Sequence, residues 1–212
     1  MTSDKLVAVI DYGMGNLRSV QKGLEKVGVP AVITDKARAI NDAHGVILPG
    51  VGSFIDCMRN LEKRGLVTGI LRAISRGKPF LGICLGLQVL FSESEEFGVH
   101  PGLDVIKGKV VRFFGNGGNP GNELKVPHMG WNKITIHKQP PVLAGIPDGS
   151  YFYFVHSYYV KPVDPEVTAT STDYGGEFTS SIWKDNLFAC QFHPEKSQNL
   201  GLAMLREFGK LI

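Results

Sequence analysis

The sequence predicts an α/β fold: a mostly parallel central sheet flanked by helices, running into a β-rich C-terminal half. Up to residue 91, short apolar runs alternate with helical patterns, the signature of parallel strands with crossover helices. From about Asp104 onward the texture shifts to runs of β-branched and aromatic residues. Glycine supplies 26 of the 212 residues, well above the usual ~7%, and has no collagen-like period. Many tight turns and close backbone approaches are therefore expected.

Residues 6–10 (Leu-Val-Ala-Val-Ile) form an apolar run between Lys5 and Asp11 and read as a buried strand. Residues 16–27 place Leu17, Val20, Leu24 and Val27 on one helical stripe, with Gly28 as the stop. Residues 31–34 and 45–48 are further strands. Residues 66–75 carry Leu66, Ile70, Leu71 and Ile74 at helical spacing, and Gly77-Lys78-Pro79 ends that helix. Residues 80–84 make another strand, followed at once by a helical stretch over 85–91. The β-rich part predicts strands at 109–113, 132–137, 151–160 and 167–172. Segments 178–184 and 187–192 flank Asp185-Asn186, a hairpin turn. Residues 199–211, with Leu202, Leu205 and Phe208, close the chain as a helix. The glycine-rich loop at residues 115–122 is the only segment whose composition reads as flexible. No repeat or dividing linker interrupts the chain, so residues 1–212 are expected to form one domain.

Several function classes are excluded at this level. Lys plus Arg minus Asp plus Glu is 23 − 20 = +3, without a basic block, so nucleic acid is not an expected partner. Cys57, Cys84 and Cys190 make an odd count with no Cys-x-x-Cys, against a disulfide framework or a cysteine zinc site. Neither metal nor cofactor is expected. The N-terminal apolar run is too short for a signal-peptide core. The longest apolar tract, residues 79–91, is interrupted by Gly82, Gly86 and Gln88 and cannot span a bilayer. A cytoplasmic chain without membrane contact is expected.

Four segments carry chemistry. Gly82-Ile83-Cys84-Leu85-Gly86 follows a strand and opens a helix, the context of a nucleophile elbow. Flanking glycines allow the sharp turn, and the helix N-terminus makes the Cys84 thiolate available. Alone, the pattern describes a buried structural cysteine equally well. In His193-Pro194-Glu195, proline biases His193 toward an extended conformation, so Glu195 can turn back and orient the imidazole. A solvated strand end would carry the same letters. Pro49-Gly50-Val51-Gly52 follows the strand at 45–48. Its glycines free the Val51 amide to face an oxyanion, together with the amide of Leu85. By itself the segment is a plain strand-exit turn. Gln88 lies four residues after Cys84 and hence on the same helical face.

These segments, in this order and spacing, resemble the class I (triad-type) glutamine amidotransferases over essentially the whole chain, which implies a flavodoxin-like fold. Asp11 through Leu17, Pro127-His128-Met129-Gly130-Trp131-Asn132, Tyr153 through Tyr158 and His193 through Ser197 narrow the likeness. That set resembles the glutaminase subunits of imidazole glycerol phosphate synthases. The resemblance implies a triad of Cys84, His193 and Glu195, oxyanion amides at Val51 and Leu85, and L-glutamine held by Gly52, Gln88, Glu96, Ser157 and Tyr158. It also implies a separate (βα)₈-barrel cyclase subunit that receives ammonia, giving a heterodimer with Asn16, Met129, Trp131 and Lys196 at the interface. Two rivals stand beside it. A glutaminase subunit of another synthase would keep the triad but lack His128 to Asn132. A non-catalytic binding protein on this fold would lack at least one of Cys84, His193 and Glu195.

Overall fold

The structure, a computed structural model, describes residues 5–115 and 124–212. Five parallel strands form the first half of the main sheet. They are β1 (Val7–Ile10), β2 (Ala31–Thr34), β3 (Gly45–Gly50), β4 (Phe80–Cys84) and, from the far end of the chain, β14 (Leu187–Cys190). Their order is β2-β1-β3-β4-β14, with parallel pairing throughout. All residues of β1, β3, β4 and β14 are buried, as expected for parallel strands covered on both faces.

Helices α1 (Leu17–Lys26), α2 (Ala37–Asp42), α3 (Phe54–Lys63), α4 (Val67–Ser75), α5 (Leu85–Gln88) and α6 (Gln198–Lys210) pack around this half. α3 was not foreseen, yet its sequence specifies it. Phe54, Cys57, Met58 and Leu61 are buried at i, i+3, i+4 and i+7. Ser53 caps it, accepting from the Asp56 N–H at 3.2 Å while donating to Asp56 Oδ2 at 2.6 Å. The likewise unforeseen α2 is a short helix that buries only Ile40.

Beyond β14 the sheet turns antiparallel through β13 (Glu177–Lys184) and β11 (Tyr158–Pro162) to β7 (Ile106–Arg112). It continues through β5 (Phe91–Ser94) to β6 (His100–Pro101). β12 (Thr168–Asp173) pairs with β13 and with β9 (Thr135–Ile136), while β8 (His128–Lys133) and β10 (Tyr151–His156) form a separate antiparallel ribbon. The fold is therefore α/β with a mostly parallel core sheet and a β-rich C-terminal half, as the sequence predicts.

Three expectations about elements are corrected. The helix expected over 85–91 ends at Gln88, and Phe91 begins β5, which pairs parallel to β7. Val89, Leu90 and Phe91 are all fully buried. A run apolar on every side carries no helical period to separate it from a strand. The single strand expected over 151–160 breaks at Ser157: β10 joins the ribbon, while β11 joins the main sheet. The strand expected over 132–137 begins earlier, at His128, and is interrupted at buried Ile134 before β9. The glycine-rich loop lies outside the described residues except for Gly115. Among the described residues no helix is long and apolar enough to cross a membrane.

Candidate active site

The carboxyl ends of β3, β4 and β14 lie side by side, and register decides what meets there. Gly50 pairs with Cys84, and Cys190 pairs with Ile83. The chain thus delivers the Pro49–Gly52 turn, the Cys84 elbow and the His193 segment to one edge of the sheet.

Cys84 joins β4 to α5 with φ 56° and ψ −108°, a strained conformation for a residue with a side chain. Two residues on, a Cβ at Gly86 would sit 1.8 Å from the Leu48 carbonyl oxygen, so only glycine lets α5 pack onto β3. The Cys84 side chain is nearly buried. Its Sγ lies 3.9 Å from the Val155 carbonyl and receives the Gln191 Nε2–H at 3.6 Å.

His193 Nδ1 and Glu195 Oε1 are 2.8 Å apart, and both side chains are only 2% exposed. The short helical turn Pro194–Lys196 that carries Glu195 is clamped to β10. The His193 N–H donates to the Tyr153 carbonyl at 2.9 Å. Ser197 Oγ accepts from the Tyr153 N–H at 3.0 Å and donates to the His193 carbonyl at 2.6 Å. His193 Nε2 makes no hydrogen bond of good geometry among the described residues, and the polar group beside it is the Cys84 sulfur. Burial works against a charged imidazole, but the adjacent sulfur and then Glu195 outweigh it, pushing the His193 pKa up to about 10. Cys57 and Cys190 differ: burial pushes the Cys57 thiol up to about 12 and the Cys190 thiol well above its ordinary value. Both are inert packing residues in this environment.

Beside Cys84 opens a cavity of about 380 Å³, lined by Val51, Gly52, Cys84, Leu85, Gln88, Glu96, Pro127, Val155, His156, Ser157 and Tyr158. Every residue the sequence suggested for oxyanion or substrate binding is on this wall. Glu96 is tied to the N-terminus of α3, accepting the Phe54 N–H at 2.6 Å, and burial raises its carboxyl above the ordinary range. Gln88 spends both amide protons, on the Tyr158 carbonyl at 3.0 Å and on Gln191 Oε1 at 3.1 Å. What Gln88 offers a ligand is its oxygen.

The corner bearing Ser157 and Tyr158 is held by a directional chain of hydrogen bonds. His156 Nδ1 donates to the Tyr158 carbonyl at 2.8 Å, His128 Nδ1 meets His156 Nε2 at 3.0 Å, and Asn132 Nδ2 meets His128 Nε2 at 3.2 Å. Every bond is satisfied with both imidazoles neutral. Burial, the largest influence on each, lowers His128 to about 4 and His156 to about 3. Sequence reasoning assigned no site role to His156, Gln191 or Tyr12. Gln191 does carry a signal, because it precedes His193 by two residues in an extended segment. Tyr12 carries none. Its fully buried hydroxyl lies against Cys57 and the Val51 backbone, beneath the Pro49–Gly52 turn, without a hydrogen bond of good geometry among the described residues.

The four residues suggested for a partner interface are all exposed, and two of them converge on one ring. On the outward side of the β8–β10 ribbon, Met129 is 61% and Trp131 45% exposed. Trp131 packs edge-on against Tyr153 at 6.2 Å, and Lys196 Nζ lies 5.7 Å above the same ring. Asn16 starts α1, in the loop whose Met14 packs against Gly52.

A model of the class I glutamine amidotransferase family matches residues 8–210. The chain belongs to that family. Within it, the chain is 56% identical over 205 residues to the imidazole glycerol phosphate synthase subunit HisH of Geobacter sulfurreducens, covering 97% of this chain and 98% of that one. It is 52% identical to the HisH subunit of Aquifex aeolicus, covering 94% of each. Among solved structures, a glutamine amidotransferase superposes with TM-score 0.73 at 18% identity, covering 97% of both chains. A chain of the PurLQS structure from Thermotoga maritima superposes with TM-score 0.70 at 20% identity, covering 99% of this chain and 97% of that one. At such identities these two show a shared fold alone.

Proposed function

We propose that this chain, one amidotransferase domain over residues 1–212, is the cytoplasmic glutaminase subunit of an imidazole glycerol phosphate synthase. In that role it hydrolyses L-glutamine and hands the ammonia to a separate (βα)₈-barrel cyclase subunit of histidine biosynthesis. The observation that carries the chemistry is that Cys84, on the wall of the cavity, lies against His193 of the buried His193–Glu195 pair. The likeness to HisH subunits over nearly the full length supports the choice of synthase.

In the reaction, the Cys84 thiolate attacks the side-chain carbonyl carbon of glutamine. A C–S bond forms, and the carbonyl electron pair moves onto oxygen, where the amides of Val51 and Leu85 receive the charge. Collapse breaks the C–N bond as His193 gives its proton to the departing nitrogen, leaving ammonia and a glutamyl thioester. His193, now neutral, takes a proton from water as that water attacks the thioester. Glutamate leaves, and the thiolate–imidazolium pair is restored. Glu195 holds the imidazole by Nδ1 so that Nε2 faces the sulfur. Gly52, Gln88, Glu96, Ser157 and Tyr158 hold the substrate. Docking falls to the surface of Met129, Trp131 and Lys196, with Asn16 beside the oxyanion turn.

The test is to incubate the chain with a barrel cyclase and its phosphoribosyl substrate, with and without glutamine. Glutamine-dependent product together with glutamate release is expected. Glutamate release that never couples to product would overturn the choice of synthase.

A further inference from the structure

We infer that Gln191 is a further catalytic residue, its side-chain N–H holding the Cys84 sulfur as the thiolate before attack and again when sulfur leaves the acyl group. The inference rests on Cys84 being the nucleophile. Gln191 is wholly buried, and its position is fixed at both ends. Its backbone N–H donates to the Ser180 carbonyl at 2.8 Å, continuing the β13–β14 pairing past Cys190. Its side-chain oxygen accepts Gln88 Nε2 at 3.1 Å.

Gln88 leaves no freedom in the orientation of the Gln191 amide. Both protons of Gln88 Nε2 are committed, to Tyr158 and Gln191, so the Gln191 atom facing Gln88 must be the acceptor. The other end, Nε2, then points its N–H at Cys84 Sγ, 3.6 Å away. A thiol gains little from such a donor. A thiolate gains a charge-assisted bond at a nearly buried sulfur, and a thioester sulfur loses it. The donor therefore favours the two states in which sulfur carries charge. His193 supplies the opposite charge, and Gln191 supplies a neutral donor that never has to give up its proton.

The test measures alkylation of Cys84 by iodoacetamide, in which the thiolate displaces iodide. Peptide mapping separates Cys84 from buried Cys57 and Cys190. In the full-length chain, Gln191→Met keeps the length of the side chain but cannot donate. Gln191→Glu keeps the acceptor for Gln88 and turns a carboxylate oxygen toward the sulfur. Losing one donor to a charged sulfur lowers the thiolate population by about tenfold or more. The less acidic thiol is a better nucleophile once ionised, which returns part of that loss. We expect Gln191→Met to be alkylated ~3- to 10-fold more slowly near pH 7, with the pH profile moved upward and a high-pH plateau at or above wild type. Gln191→Glu is expected to be slower still near neutrality, and it remains the readable variant if Gln191→Met does not fold.

Profiles that superimpose on wild type would overturn the inference. So would a slowing equal at every pH, the sign of blocked access. Because glutamine is absent from the assay, a shifted profile in a chain that never hydrolyses glutamine would refute the proposed substrate and leave the role of Gln191 standing.

Discussion

His156 is buried, and burial holds its imidazole neutral with a pKa lowered to about 3, against about 6.5 in an unfolded chain. A folded value below the unfolded one means the stability it supports is complete above pH 6.5. That stability is lost as pH falls through the window between the two values. At pH 5 the unfolded histidine has taken up its proton and the folded one has not. The loss amounts to about 2 kcal/mol at 1.36 kcal/mol per pH unit. His128, lowered to about 4, acts with the same sign. His193, raised to about 10, acts oppositely, and its stabilisation is already complete below pH 6.5. His156→Phe replaces the imidazole by a ring of similar shape, among Phe113, Phe154 and Phe178. Urea unfolding of both proteins at pH 7 and pH 5 isolates the effect. Wild type should lose about 2 kcal/mol more than His156→Phe between the two pH values, whatever the variant's cost at pH 7. Equal losses would refute the assignment of a neutral buried histidine.

Within the triad, Glu195→Gln should lower glutaminase turnover less than His193→Ala, because orienting a base is worth less than supplying it. Equal and complete losses in steady-state assays of folded protein would give Glu195 a more direct part. At the docking surface, Trp131→Ala and Lys196→Ala should each weaken association with the cyclase. The cost for the tryptophan should be about 2 kcal/mol by calorimetric titration, and unchanged affinity for both would move the interface elsewhere. The isolated chain should be a poor glutaminase, because a peptide between two glycines at Val51 has two orientations, and one misaligned oxyanion donor costs about 10²–10³ in rate. Similar kcat for the chain alone and for the complex would refute that switch.

The parallel half of the fold was legible because β1, β3 and β4 are short, mainly apolar runs closed by glycine, proline or charge. The elbow was legible for a related reason: a glycine on each side of Cys84 is a conspicuous local demand. Where neighbours decide the outcome, the sequence is silent. Val89 to Phe91 became a turn and a strand because β7 was there to pair with β5. Tyr151 to Val160 was divided between two sheets by pairings 18 to 50 residues away in sequence. The candidate site shows the same division. Cys84, Gln88, His193 and Glu195 stand in short local motifs. The contacts of Gln191 with Gln88 and Cys84 cross 103 and 107 residues, and those of His128 with His156 cross 28. No local pattern encodes them.

In the proposed division of labour, Cys84 does the glutamine chemistry and takes no part in the cyclase reaction. The most direct measurement compares the wild-type and Cys84→Ala complexes with the cyclase, driven either by glutamine or by added ammonium salt. Cys84→Ala should lose glutamine-dependent synthesis and glutamate release by several orders of magnitude. Ammonium-dependent synthesis should stay at the wild-type rate. Glutamine-dependent synthesis persisting in Cys84→Ala would contradict that division of labour.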